Sequence, residues 1–280
     1  MSLETLILQI DEAFFLIGAA ILLIEIAEML FKRSFKVRTF GEMLVSASTQ
    51  LPYLLVETFL LTGAYGLYWI IAQALPWSIP VTWWSLALVV LLADITYYWE
   101  HRIAHEVRLL WTQHAVHHSS RDMNIVTGVR FGPFEGLWSL IAHLPLALMG
   151  FAPEAIIFGV ITVLAYQTWL HTELIGKLGP LEGFLNTPSH HRVHHGSDEK
   201  YLDKNYGGIL IVWDRLWGTF QVEEERPRYG LKRDFDSRNP LRVWFSEWPD
   251  LLRDLARAKG PRQALALLLR PPGWAPKGDR

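Results

Sequence analysis

Long apolar runs separated by short polar connectors set the pattern of this chain. The first run, Ala13 to Phe31, reads AFFLIGAAILLIEIAEMLF. About 20 such residues cross a hydrocarbon core as a helix, so a membrane span is predicted over 13–31. Glu25 and Glu28 fall near its end and are expected to face protein or headgroups, because a carboxylate is costly in lipid. Two further spans are predicted, roughly over 51–75 and 81–99. An apolar hairpin follows, with arms Leu137–Met149 and Pro153–His171 about a GFAP turn. Gly150 suits a helix end and Pro153 a first helical position. The first arm is short and contains Pro145, which makes it a candidate re-entrant segment. After Val222 the chain turns polar, and SEWPDLLRDLARAKG and RQALALLLR read as short amphipathic helices. They suit either a membrane surface or a cap on the soluble part. The predicted fold is an all-α integral membrane bundle of four to five transmembrane or re-entrant helices with a cytosolic helical cap. All of it, residues 1–280, is read as one domain, with a histidine-rich part over 101–220 and a tail over 222–280.

Loop charge orients the bundle. Lys32, Arg33, Lys36 and Arg38 follow the first span, whereas QALPWSIP between the second and third carries no charge. Basic loops stay in the cytoplasm. The third span therefore returns to the cytoplasmic side, and an even number of passes through the hairpin brings His171 back to it as well. A bacterial inner membrane or the endoplasmic reticulum fits this placement. The start MSLETLILQIDEAF lacks a basic segment, so no secretory leader is expected.

Composition agrees: 51% of the residues are hydrophobic and 19% charged, against about 25% charged in soluble domains. A net charge of −2 gives no case for nucleic acid. With no cysteine, thiolate zinc sites and cysteine-ligated iron–sulfur clusters are excluded within the chain.

The histidines carry the chemistry. All eleven lie between His101 and His195, and NTPSHHRVHHGSD packs four into six positions. His101 and His105 are spaced i, i+4. His114, His117 and His118 are spaced i, i+3, i+4, and His191, His194 and His195 repeat that triplet. Each set shares one face of a helix. In the last stretch Thr187 is a candidate N-cap, Pro188 a first helical residue and Gly196 a terminator. His171, at the end of the hairpin, adds a ring from a fourth direction. One ion takes four to six ligands, so eight to ten imidazoles suit two, and neutral imidazole suits zinc, copper, iron or nickel. His190 points about 100° away from His191 and is either a ligand or a donor beside one. His143 stands alone in an apolar run and reads as a hydrogen-bonded core residue. Metal-bound histidines pass their other N–H to a carboxylate or carbonyl. Asp94, two turns before His101, is the preferred candidate for that role, with Glu173, Asp198, Asp203 and Asp214 also near in sequence.

HRIAH, HAVHH and HRVHH, flanked by DITYYWEHR, HHSS and KNYGGILIVWDRLWGTF, resemble the fatty acid hydroxylase or sterol desaturase superfamily of membrane diiron enzymes. The resemblance covers roughly Ala93 to Phe220. HTELIGKLGPLEGFLNTPSHHRVHHG is especially similar to the alkylglycerol monooxygenase branch and its bacterial relatives. It implies a small transmembrane bundle and two iron ions, or zinc after overexpression, held by His101, His105, His114, His117, His118, His171, His191, His194 and His195. His190 matches some branches only. It also implies O2-dependent hydroxylation of an unactivated C–H bond of a lipid, with desaturation as the nearest rival. Neither GPLEGF nor GGILIVWDRLWG makes a dinucleotide fingerprint, so electrons are expected from a separate redox partner or a reduced pterin. A zinc hydrolase is the competing class, but HEVRL lacks the second histidine of H-E-x-x-H. A metal transporter is a third; Glu57, Asp94 and His143 are the residues within the spans that would mark its path.

Overall fold

The computed structural model describes residues 3–32 and 36–276. Arg33, one of the four basic residues of the first loop, lies outside the described residues. Among these residues twelve α-helices follow one another: α1 Leu3–Phe31, α2 Val37–Ala74, α3 Trp83–Glu106, α4 Arg108–His118, α5 Glu135–Ala142, α6 Leu144–Leu148, α7 Pro153–Tyr166, α8 Pro188–His194, α9 Val212–Trp217, α10 Pro240–Trp244, α11 Trp248–Ala256 and α12 Pro261–Leu269. Short 3₁₀ turns join some of them, and no β-strand is present among the described residues.

Among the described residues, three helical stretches are long and apolar enough to cross a membrane: Leu3–Phe31, Val37–Ala74 and Pro153–Leu170. The third predicted span corresponds to α3, which packs most extensively on α7. Val89 and Ala93 on α3 and Ala155, Ile156 and Val163 on α7 are buried together in the core. A close approach at Gly159 makes this possible, since a Cβ there would lie 3.0 Å from the Val89 carbonyl. α3 is polar for a span because it carries Asp94, Glu100 and two tyrosines inward. Phe15, Leu23, Leu55 and Phe59 of α1 and α2 are exposed apolar side chains, as a lipid-facing surface requires.

The hairpin departs from two plain arms. Its first arm breaks at His143 into α5 and α6, with Pro145 opening the second piece. His143 is buried there, its Nδ1–H donating to the Ser139 carbonyl at 2.9 Å, the core role expected of it. Gly150 takes φ +94° in the turn, and Pro153 opens α7 as predicted.

α2 extends well beyond the predicted 51–75. Its 38 residues span about 57 Å at 1.5 Å per residue, nearly twice a hydrocarbon core of about 30 Å. The excess runs alongside the histidine-bearing part. Glu42, Met43, Val45, Ser46 and Thr49 are buried in this extension. Arg38 lies 4.0 Å from Asp122, so the basic loop and the histidine region share one end of the molecule. Glu25 of α1 faces protein, accepting from the Thr172 hydroxyl at 2.6 Å and the Ile125 N–H at 3.0 Å. Glu28 pairs with Lys32 at the exposed surface. In the tail, α11 and α12 pack on each other and α12 packs on α4.

Candidate metal centre

Four elements deliver the rings. The last turns of α3 carry His101 and His105, and α4 carries His114, His117 and His118. A single 3₁₀ turn, Gln167–Leu170, prolongs α7 and leaves His171 just outside the helix at φ −86°, ψ 70°. α8 carries His191, His194 and, at its C-cap, His195. Pro188 opens α8 as predicted, but Thr187 makes no side-chain cap; its hydroxyl donates instead to Glu182 Oε1 at 3.2 Å. Gly196 does not adopt a left-handed conformation either. It is small because Tyr201 closes on it, and a Cβ there would lie 2.8 Å from the Tyr201 Cβ.

These rings converge into two groups of buried nitrogens, each within 4.8 Å of its fellows. His101, His105, His114, His118 and His194 form one; His117, His171, His191 and His195 form the other. The groups adjoin, since His118 of the first stacks on His195 of the second with ring centroids 4.4 Å apart.

The hydrogen bonds fix which nitrogen faces inward. His101 Nδ1 donates to the Tyr206 carbonyl at 3.0 Å, His194 Nδ1 to the Lys204 carbonyl at 3.0 Å and His117 Nδ1 to the Arg130 carbonyl at 3.2 Å. A carbonyl only accepts, so each Nδ1 bears the hydrogen and each Nε2 keeps its lone pair. His114 Nδ1 is engaged by Glu135 Oε1 at 2.6 Å. His101 Nε2 and His114 Nε2 meet at 3.0 Å. His105 Nε2 and His194 Nε2 are buried without any partner. Burial also holds the rings neutral, pushing His114 down to about 3 and His117, His191, His194 and His195 well below the ordinary histidine value. Converging neutral nitrogens with unpaired inward lone pairs are an arrangement that cations relieve, and the donor set fits two imidazole-bound metal ions.

His190 is not among the converging rings. One residue before His191 on the helix, it turns to the far side, 3.9 Å from Glu182 Oε2 and edge-on to Phe220. Glu173 also stands apart, accepting from Tyr229 and Arg226 at the surface. The Asp94 carboxylate is bonded to groups other than the histidines. It accepts from the backbone N–H groups of Ile209 and Leu210 and from Trp213 Nε1, at 2.6, 3.1 and 2.8 Å. Asp214 accepts from the Tyr206 and Gly207 N–H groups, both at 2.8 Å. The two carboxylates together pin the loop that offers the Tyr206 carbonyl to His101. Asp198 binds Arg228, and Asp203 lies 3.5 Å from His105 Nδ1. Glu135, the closest carboxylate to a ring, was not among the sequence candidates; it opens α5, 21 residues from His114.

A cavity of about 270 Å³ reaches the five-ring group. His101, His114 and Glu135 line it, together with Leu109, Leu137 and Ile141.

Residues 86–219, which hold every one of these rings, match the family model described as fatty acid hydroxylase. This histidine-bearing region belongs to the fatty acid hydroxylase family. Among curated proteins the chain is similar to human (Homo sapiens) alkylglycerol monooxygenase, 42% identical over 206 residues, covering 74% of this chain and 45% of that protein. It is similar to the ornithine lipid hydroxylase of Rhizobium tropici, 35% identical over 143 residues, covering 49% of this chain and 43% of that one. A Delta(7)-sterol 5(6)-desaturase of Gibberella zeae is 26% identical over 139 residues, with 49% and 42% covered. The chain thus spans less than half the length of these members of the fatty acid hydroxylase family. No solved structure matches it.

Proposed function

We propose that this chain is an O2-dependent membrane oxidoreductase that hydroxylates an unactivated C–H bond of a lipid, using two iron ions held by the nine converging histidines. The observation that carries the reading is the pair of adjoining ring groups, five and four, whose buried nitrogens lie within 4.8 Å of one another in each group. His101, His105, His114, His118 and His194 hold one ion and His117, His171, His191 and His195 the other. When bound, the iron pair supplies O2 activation and removal of hydrogen from carbon, which no side chain here performs alone. The protein does the rest. The Tyr206, Lys204 and Arg130 carbonyls and Glu135 fix ring orientation and tautomer. The apolar cavity receives the lipid chain, keeps water from it and brings it beside His101 and His114. Residues 1–280 act as one unit with α1, α2, α3 and the α5–α7 hairpin in the bilayer and the histidine centre at its cytoplasmic face. Electrons arrive from a separate redox partner or a reduced pterin.

The names of the human and Rhizobium relatives favour hydroxylation. The Gibberella relative supports desaturation at the same centre as a second reading. Lipid analysis of cells with and without the gene, grown under labelled oxygen, separates them. A new hydroxyl carrying the label is expected; an added double bond without label would favour desaturation. His117→Ala and His194→Ala should each lose metal and activity while the protein still inserts into the membrane. Full activity in both variants would refute the site.

A further inference from the structure

We infer that Arg192 is a positioning residue of the four-ring group: its guanidinium, locked by Glu223, sets the spacing between His191 and His171 and so the grip on the ion held there. This rests on the two-metal reading of the centre. His191 Nε2 lies 2.7 Å from His171 Nε2, which lies 3.1 Å from His117 Nε2. The first two rings come from separate elements, 20 residues apart. His191 Nδ1 has no hydrogen-bond partner, whereas the Nδ1 atoms of His101, His117 and His194 each reach a carbonyl. His171 lies beyond the last turn of its helix. Holding the pair in register therefore calls for a tie between the two backbones.

Arg192 supplies that tie. It follows His191 on α8 and is buried. Its Nη1 donates to the carbonyl of Thr172, the residue after His171, at 3.0 Å and to the Ile175 carbonyl at 2.7 Å. Nε and Nη2 donate to the two Glu223 oxygens, each at 2.7 Å. A planar fork engaged on both edges is held in one orientation. The post it reaches is fixed too: Thr172 is fully buried, and its hydroxyl donates to Glu25 of α1 at 2.6 Å. Both carboxylates lie outside the family-matched residues 86–219. The clamp acts unequally on the two groups. His191 and His195 belong to α8 and His171 to the segment Arg192 grips, three of the four rings in that group. In the five-ring group only His194 belongs to α8, and the Lys204 carbonyl holds it separately.

The test strips the full chain of metal in lipid nanodiscs and titrates it with zinc against a competing chelator. Wild type should bind two ions. Arg192→Lys keeps the charge and loses the fork; it should hold one ion at wild-type affinity and the other about 10–100-fold more weakly. His171→Ala locates the effect. It should keep one ion, in the five-ring group, and adding Arg192→Lys to it should leave the affinity of that ion unchanged. Equal weakening of both ions by Arg192→Lys, no weakening of either, or weakening of the ion left in His171→Ala overturns the proposal. His171→Ala keeping both ions or neither overturns it as well. If Arg192→Lys fails to insert, Glu223→Gln, which keeps the arginine and loosens its lock, decides by the same criteria. Wild type binding fewer than two zinc ions overturns the two-metal reading itself and this inference with it.

Discussion

Glu135 and His190 show how strongly single residues depend on where they point. Glu135 engages His114 at 2.6 Å, across a chain separation that no helical spacing encodes. Carboxylates in this position raise ligand basicity and fix the ring, and removing them commonly costs 10–100-fold in metal affinity. Glu135→Gln is therefore expected to weaken metal binding by about that factor, measured by competition with a chelator. His190 has the opposite expectation. Its ring faces Glu182 rather than the converging nitrogens, so His190→Gln should leave two metals per chain, whereas His191→Gln should not; metal analysis of the purified variants distinguishes them. Eight of the nine converging histidines were expected from i, i+3 and i+4 spacings, which fix which side chains share a helix face, and His171 from its place at the end of the hairpin. The carbonyls of Tyr206, Lys204 and Arg130 were not, since every residue has a carbonyl and only the loop path decides which one arrives.

At the scale of elements, two supports hold the centre in place. Arg130, whose carbonyl receives His117, is itself buried and pairs with Glu42 of α2 at 2.9 Å. Its Nε also bonds the Val116 carbonyl on α4. Removing one partner of a buried pair typically costs about 3–5 kcal/mol. Glu42→Ala should lower stability by that order, read by denaturation of the protein in nanodiscs, while metal stoichiometry at permissive temperature is retained. The second support is the 3₁₀ turn Ile125–Val129. A Cβ at Gly128 would lie 2.8 Å from His171 Nδ1. Gly128→Ala should displace that ring and weaken metal in the four-ring group, giving a stoichiometry nearer one than two. Hydrophobic pattern found the spans but not their reach. The Glu42 end of α2 looks polar in sequence because it is buried against arginine and serine rather than lipid. Asp94 was recognised as needing a reason to lie in a span; its actual partners, 115 to 119 residues away, lie beyond any local rule.

For the whole molecule, the centre ties the ends of α3, α4, α7 and α8 together. Metal that binds only the folded chain stabilises it by RT ln(1 + [L]/Kd), about 4 kcal/mol per site at a thousandfold excess over Kd. Stripping the metal with a chelator should therefore lower the melting temperature markedly, and adding ferrous iron or zinc should restore it. A melting curve indifferent to chelation would contradict a metal-held centre.

Asp94 joins these scales in a practical way. One carboxylate midway along α3 grips the loop that steadies His101, so any solvent that pries the intramembrane helices apart also slackens the grip on the ion. Metal lost during extraction would then report a badly chosen detergent before any loss of helix became visible, and preparations are best ranked by how much metal they keep.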